Sequence, residues 1–223
     1  AATNGLTEYR IPEGIGGLEH YSFMKANTLT KIYFPSSLKY IAGSAFEGTY
    51  SISEAEGPNV LDDGRSLVVD DELLFVAGAG LNDYKTPEGV KVIGYGALQN
   101  QHWKNVIISD DVDKVASYGY LFRGNTNLES ITISARLQDL GYDPFGIREG
   151  TTNLKTIYCR AAIPPKISWN YPQYSSWYKI EGLKIYVPRE SLDLYLESPY
   201  WELHKECLTA YDYTDLPSDI SLH

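Results

Sequence analysis

The sequence predicts a right-handed solenoid: an α/β repeat of stacked strand-and-arc coils with a parallel-type sheet along one face. Three observations predict it. The first is the stretch from Leu29 to Phe46, LTKIYFPSSLKYIAGSAF. Leu29, Ile32 and Phe34 are spaced L-x-x-L-x-L, Pro35 follows, and Leu38, Ile41 and the small–aromatic pair Ala45-Phe46 complete the unit. Its apolar period is two in the middle, the mark of a short strand, and three to four after the proline, the mark of a helical turn or arc. The second is that one such unit cannot hide its apolar edge alone and requires copies on either side. The third is that the copies exist, starting at residues 6, 29, 81, 103, 128 and 154. A period of about 20–29 residues built on L-x-x-L-x-L is the signature of a leucine-rich repeat solenoid.

Each unit fills the same columns. The first has Leu6, Tyr9, Ile11, Pro12, Ile15, Leu18 and Ser22-Phe23; the unit at Leu81 has Tyr84, Thr86, Pro87, Val90, Ile93 and Ala97-Leu98. Trp103 opens another, with Val106, Ile108, Val112, Val115 and Gly119-Tyr120. Leu128 opens the next, with Ile131, Ile133, Leu137, Leu140 and Pro144-Phe145, and the register dissolves after Leu154, Ile157 and Cys159. In the IPEG of 11–14 and the TPEG of 86–89, proline ends the strand and glycine takes the positive φ that turns the chain.

The spacing from Leu29 to Leu81 is about two periods, which predicts a degenerate or replaced unit. Residues 47–58 read as a polar loop. Leu67–Val69 and Leu73–Val76, punctuated by Asp63-Gly64 and Asp70-Asp71-Glu72, read as a β-hairpin insertion at about 51–80 that continues the sheet of the array. Residues 1–160 are therefore expected to form the repeat array. Residues 161–223 follow as a C-terminal strand, with Ile185 and Val187 inward, and a capping unit helical from Arg189, because an array end needs a lid.

Composition narrows the function. The 223 residues are 43% hydrophobic and carry a net charge of −10. There is no basic stripe to displace counterions from phosphates, which argues against nucleic acid. No run of 18 apolar residues predicts a transmembrane segment. The start, AATNGLTEYR, has no charged-then-apolar leader and reads as that of a trimmed or mature chain. His20, His102, His204 and His223 are scattered, with no H-E-x-x-H and no Cys/His cluster; no phosphate-cradling glycine loop or nucleophile elbow occurs. The acidic runs at 62–63, 70–72 and 110–113 lack calcium-loop spacing and read as solvated turns. The expectation is a non-enzyme with no cofactor and no metal. Cys159 sits on an inward column and reads as a small hydrophobe, while the spacing to Cys207 leaves a disulfide undecided.

The unit LTKIYFPSSLKYIAGSAFEG resembles the repeat of the BspA-like (Treponema pallidum type) leucine-rich repeat proteins, roughly L-x-x-I-x-I-P-x-S-V-x-x-I-G-x-x-A-F. The insertion VVDDELLFVAGAG and the terminal LKIYVPRESLDLYLESPYW are similar to segments such proteins carry, so the resemblance covers about residues 6–212. It implies an exported or cell-surface protein of a host-associated bacterium, secreted or lipid-anchored through a segment before Ala1. It also implies a role in adhesion or in binding host extracellular proteins.

A solenoid offers an open sheet face, and residues between the inward columns point out of it. That row is Arg10, Tyr33, Lys85, Ile107, Thr132, Tyr158 and Tyr186, expected as one strip of roughly 30–35 Å. Its flanks are Glu8, Lys31, Asp83, Asn105, Ser130, Thr156 and Lys184. Tyrosine gives rigid amphipathic contact area. The candidate binding residues are therefore Tyr33, Lys85, Ile107, Thr132, Tyr158 and Tyr186, with Trp169 and Trp177 from the WNYPQYSSWY loop. The favoured partner is a protein; the alternative is a glycan stacking on exposed Trp and Tyr.

Overall fold

The computed structural model describes residues 5–116, 121–141, 144–145, 153–167 and 180–212. In chain order the first strands are β1 (Glu8–Arg10), β2 (Gly17–Leu18), β3 (Lys31–Tyr33), β4 (Tyr40–Ile41) and β5 (Glu54–Glu56). Then come β6 (Ser66–Val69), β7 (Glu72–Val76), β8 (Asp83–Lys85), β9 (Val92–Ile93), β10 (Asn105–Ile107) and β11 (Lys114–Val115). The last are β12 (Ser130–Ile133), β13 (Thr156–Cys159), β14 (Lys184–Pro188) and β15 (Leu208–Tyr211).

The L-x-x-L-x-L strands stack in parallel, each pairing with the next coil's counterpart. Tyr9 is followed by Ile32 and Ala55, and Tyr84 by Val106, Ile131, Ile157, Ile185 and Leu208. The chain is thus a β-solenoid of stacked coils. It carries little helix. The arcs expected to be helical are turns and two-residue strands, and α1 (Leu192–Glu197) is the one α-helix among the described residues. A single turn per arc spans the distance between sheet faces and leaves no length for a hydrogen-bonded helix to propagate.

The strip is not continuous. The coil strands form a three-stranded sheet, β1-β3-β5, and a six-stranded sheet, β8-β10-β12-β13-β14-β15. The break begins at Gly57, whose φ is 146° and where a Cβ would stand 2.4 Å from the Phe34 carbonyl oxygen. The chain leaves the sheet there, and the Ala55 N–H donates to the Gly64 carbonyl at 2.7 Å. Residues read as a polar loop therefore contain β5. It is the strand of the missing unit, with Ile52, Ala55 and Gly57 in the columns of Leu29, Ile32 and Phe34, 23 residues on.

The hairpin is β6–β7, antiparallel, turned by Asp70 and Asp71 at φ of 50° and 63°, the left-handed pair that a two-residue turn requires. It does not continue the face expected of it. β7 pairs in parallel with β9, placing the hairpin in the second sheet, β6-β7-β9-β11, on the arc side. Residues of β7, and Ala77 just after it, then feed two cores. Leu73 and Val76 join the cluster that runs to Trp201, while Leu74, Phe75 and Ala77 join the cluster of the first coils.

Packing inside the coils repeats as the columns do. Phe23 and Phe46 stack at 5.1 Å, and Phe75 takes the next place at 4.5 Å from Phe46. Polar groups are spent between coils: the side chain of buried Asn125 accepts from the Gln101 N–H at 2.6 Å and donates to the Leu98 carbonyl at 2.8 Å. Beyond β14, Tyr195 donates to the Ala161 carbonyl and Trp201 to the Pro165 carbonyl, both rings fully buried. Both cysteines are free thiols; burial pushes Cys159 up to about 11, and its sulfur lies 3.1 Å from the Tyr195 hydroxyl.

Candidate interaction face

Strand alternation sends two residues of each three-residue strand out of the coil. In the three-stranded sheet these are Glu8 and Arg10, Lys31 and Tyr33, and Glu54 and Glu56. Lys31 Nζ reaches Glu54 at 2.6 Å and Glu56 at 2.5 Å, and the first of these contacts, then the second, holds its pKa above the ordinary lysine value. The Arg10 guanidinium lies 4.0 Å over the Tyr33 ring, whose hydroxyl donates to Glu8 at 3.3 Å. Tyr33 is thereby enclosed by charge on its own strand and its neighbour. Every outward partner here is ionic.

The six-stranded sheet differs. Its register lines up Lys85, Ile107, Thr132, Tyr158, Tyr186 and Thr209. Six strands at a spacing of about 4.8 Å make a strip of about 24 Å. Lys85 is exposed and Ile107 half-buried. Thr132, expected as a contact residue, is only 4% exposed, because the larger side chains on either side of it in the row close over a short one. A ladder runs beside the row: Asn105 donates to Asp83 at 2.5 Å and Ser130 to Asn105 at 2.7 Å.

At the far end the row becomes aromatic. Tyr158 and Tyr186 stack at 5.1 Å with 15° between their planes. Tyr211, from β15, joins them at 5.9 and 5.8 Å. Burial, then the neighbouring Tyr186, raises the Tyr158 hydroxyl pKa. All three residues are half-buried, and the Tyr211 hydroxyl is itself buried. Sequence reasoning found the first two and missed Tyr211, because β15 has no L-x-x-L-x-L spacing to announce it. The signal available was the apolar Leu208 flanked by β-formers ahead of two tyrosines. Trp169 and Trp177 lie outside the described residues, and Tyr33 stands in the other sheet. The structure therefore gathers Tyr158, Tyr186 and Tyr211 rather than the whole row.

Two arginines near this end are paired with carboxylates. Arg160 meets Asp110 at 2.7 Å, and Arg189 grips Asp212 through two hydrogen bonds of 2.8 Å. Among the described residues no group of three or more His, Cys, Asp or Glu stands close enough to hold a metal ion, and no helix is long and apolar enough to cross a membrane.

A family profile described as the BspA type leucine rich repeat region matches residues 1–66 and 73–165 in six copies. No curated protein sequence matches the chain. Among solved structures, a leucine rich cell surface protein of Faecalibacterium prausnitzii A2-165 shares 18% identity at a TM-score of 0.49, covering 82% of this chain and 59% of its own. A leucine-rich repeat protein of Eubacterium ventriosum shares 16% at 0.40, covering 85% and 56%. The pneumococcal vaccine antigen PcpA shares 16% at 0.34, covering 92% and 66%. The chain thus spans less than two thirds of each of these structures.

Proposed function

We propose, of a chain that belongs to the BspA-type leucine-rich repeat family, that it is a non-catalytic interaction module of a bacterial surface or secreted protein. It binds a protein partner through the aromatic end of its six-stranded sheet. The observation that carries this reading is the grouping of Tyr158, Tyr186 and Tyr211 on the outward face, where no core needs them. Rings on a rigid sheet offer large contact area with little side-chain entropy to lose, which is why tyrosine concentrates at protein interfaces. Lys85 and Ile107 extend the surface toward the centre of the sheet. The surface location is the one the resemblance to this family implies. Adhesion to host proteins is the role the resemblance suggests.

A protein partner is favoured over a glycan by ring orientation. Tyr158 and Tyr186 lie nearly parallel and turn faces toward each other, which leaves edges and hydroxyls for the partner. A sugar stacks on a free ring face. The test is a panel of purified extracellular host proteins run beside a glycan array. A protein that binds the chain and loses about tenfold affinity or more to Tyr158→Ala and to Tyr186→Ala supports the reading, since interface anchors of this kind cost more than 1 kcal/mol when truncated. Unchanged binding in folded variants refutes the patch.

A further inference from the structure

On the arc side of the coils two tyrosines lie face down on glycine. Where a Cβ would stand at Gly17, the consecutive ring atoms Cδ1, Cε1 and Cζ of Tyr40 all fall within 2.6 Å; at Gly43 the same three atoms of Tyr95 fall between 2.4 and 2.7 Å. Similar distances to three consecutive atoms place that point over the face of the ring. Off the ring's edge, the middle atom would be much the closest. Neither glycine has the positive φ that would demand glycine for the backbone's sake. What excludes a side chain at each is the ring laid across it.

The opposite face of each ring is turned to water. Tyr40 is 46% and Tyr95 37% exposed, although one face of each is covered. Polar groups stand at their rims. The Tyr40 hydroxyl donates to Glu19, and His20 Nδ1 meets the Ser44 hydroxyl at 2.6 Å. Tyr95 lines a crevice with Tyr50, Gln99 and Asn100, where the arcs on either side of the hairpin meet. That crevice encloses only about 20 Å³, room for a single water molecule. A ligand therefore lies across the rings, not beneath them.

We infer that the arc face is a carbohydrate-binding surface, on which pyranose rings stack against the outward faces of Tyr40 and Tyr95. The C–H bonds on one side of a pyranose are weakly positive, and the face of an aromatic ring is negative. The hydroxyls around the sugar's rim then meet Glu19 beside Tyr40 and the Asn100 amide beside Tyr95. The glycine seats keep both platforms fixed before a sugar arrives, so little side-chain freedom is lost on binding. Tyr158 and Tyr186 turn their faces toward each other and lack this geometry. The arc surface is thus separate from the tyrosine cluster and stands independently of the function read there.

The test is an array of immobilised galactose, glucose, N-acetylglucosamine and mannose oligosaccharides, followed by calorimetric titration of the best-bound one in solution. Tyr40→Ala and Tyr95→Ala should each weaken binding by about tenfold. Tyr95→Phe, which keeps the ring face, should retain it, and Tyr158→Ala and Tyr186→Ala should leave it unchanged. Circular dichroism checks that the variants fold. In the unmodified chain, the ring-proton resonances of Tyr40 and Tyr95 should shift as the sugar is added, which tests the contact without any substitution. The inference is overturned if no oligosaccharide binds at millimolar concentration, or if binding is indifferent to Tyr40 and Tyr95 and their resonances stay in place. Sugar binding lost instead with Tyr158 or Tyr186 would also overturn it, by moving the glycan to the sheet face.

Discussion

The three-stranded sheet and the far end of the six-stranded sheet place their aromatic residues differently. Around the three-stranded sheet most rings are inside: Phe23, Phe34, Phe46 and Phe75 are buried in one cluster, and the outward positions carry Glu8, Arg10, Lys31, Glu54 and Glu56, with Tyr33 the one outward ring of its strands, enclosed by Arg10 and Glu8. At the end of the six-stranded sheet the strands are aliphatic inside, with Ile131, Ile157, Ile185 and Val187, and aromatic outside. The difference follows from volume. β5 brings only Ala55 and Gly57 to columns that elsewhere hold Ile and Phe, and rings from neighbouring segments occupy the space. The last coils have full inward columns of Ile131, Ile157, Ile185 and Val187, so the outward Tyr158 and Tyr186 are not needed to fill them. Rings inside hold the array together; rings outside are available to a partner.

The strongest way to break this contrast is Phe75→Ala. Its ring touches Phe34 and Phe46 at the seam between the two cores, and its loss should cost about 3–5 kcal/mol. Urea denaturation should show the first coils melting separately from the rest. Asn125→Ala comes next. It strands the Gln101 N–H and the Leu98 carbonyl inside the array, for a loss of about 2–3 kcal/mol.

A third test uses pH. Burial pushes the His204 imidazole from its usual 6.5 down to about 4. Between those values the unfolded chain takes up a proton that the folded chain refuses, so stability is full above pH 6.5 and falls as pH drops toward 4. The loss should be on the order of 1–3 kcal/mol, and thermal melts of His204→Phe against the parent should show a flatter pH profile. The smallest effect on the fold belongs to Tyr186→Ala, at about 1 kcal/mol or less. The same substitution should have the largest effect on partner binding.

The repeat itself was legible because its columns obey one spacing. From Leu29 to Phe46, each apolar residue named in the sequence lies within the core. β5 was hidden because its column residues are small, and an Ala or a Gly does not register as an apolar signal even at the correct interval. The hairpin was visible as β-rich runs, but which sheet it joins depends on β7 meeting β9, a contact no local pattern encodes. Reading the arcs as helical followed from periodicity alone, whereas each arc is too short to be a helix. Of the candidate face, alternation placed Tyr158 and Tyr186 in one row; it could not foresee that Thr132 would be covered or that β15 would add Tyr211.

The most direct measurement compares urea unfolding of a triple variant, Tyr158→Ser/Tyr186→Ser/Tyr211→Ser, with that of Phe75→Ala. If the outward rings serve a partner, the triple variant keeps a cooperative transition and loses no more than about 2 kcal/mol, well short of the loss at Phe75. A triple variant as destabilised as Phe75→Ala would mean that these tyrosines hold the array together, and the contact surface assigned to them would have to be withdrawn.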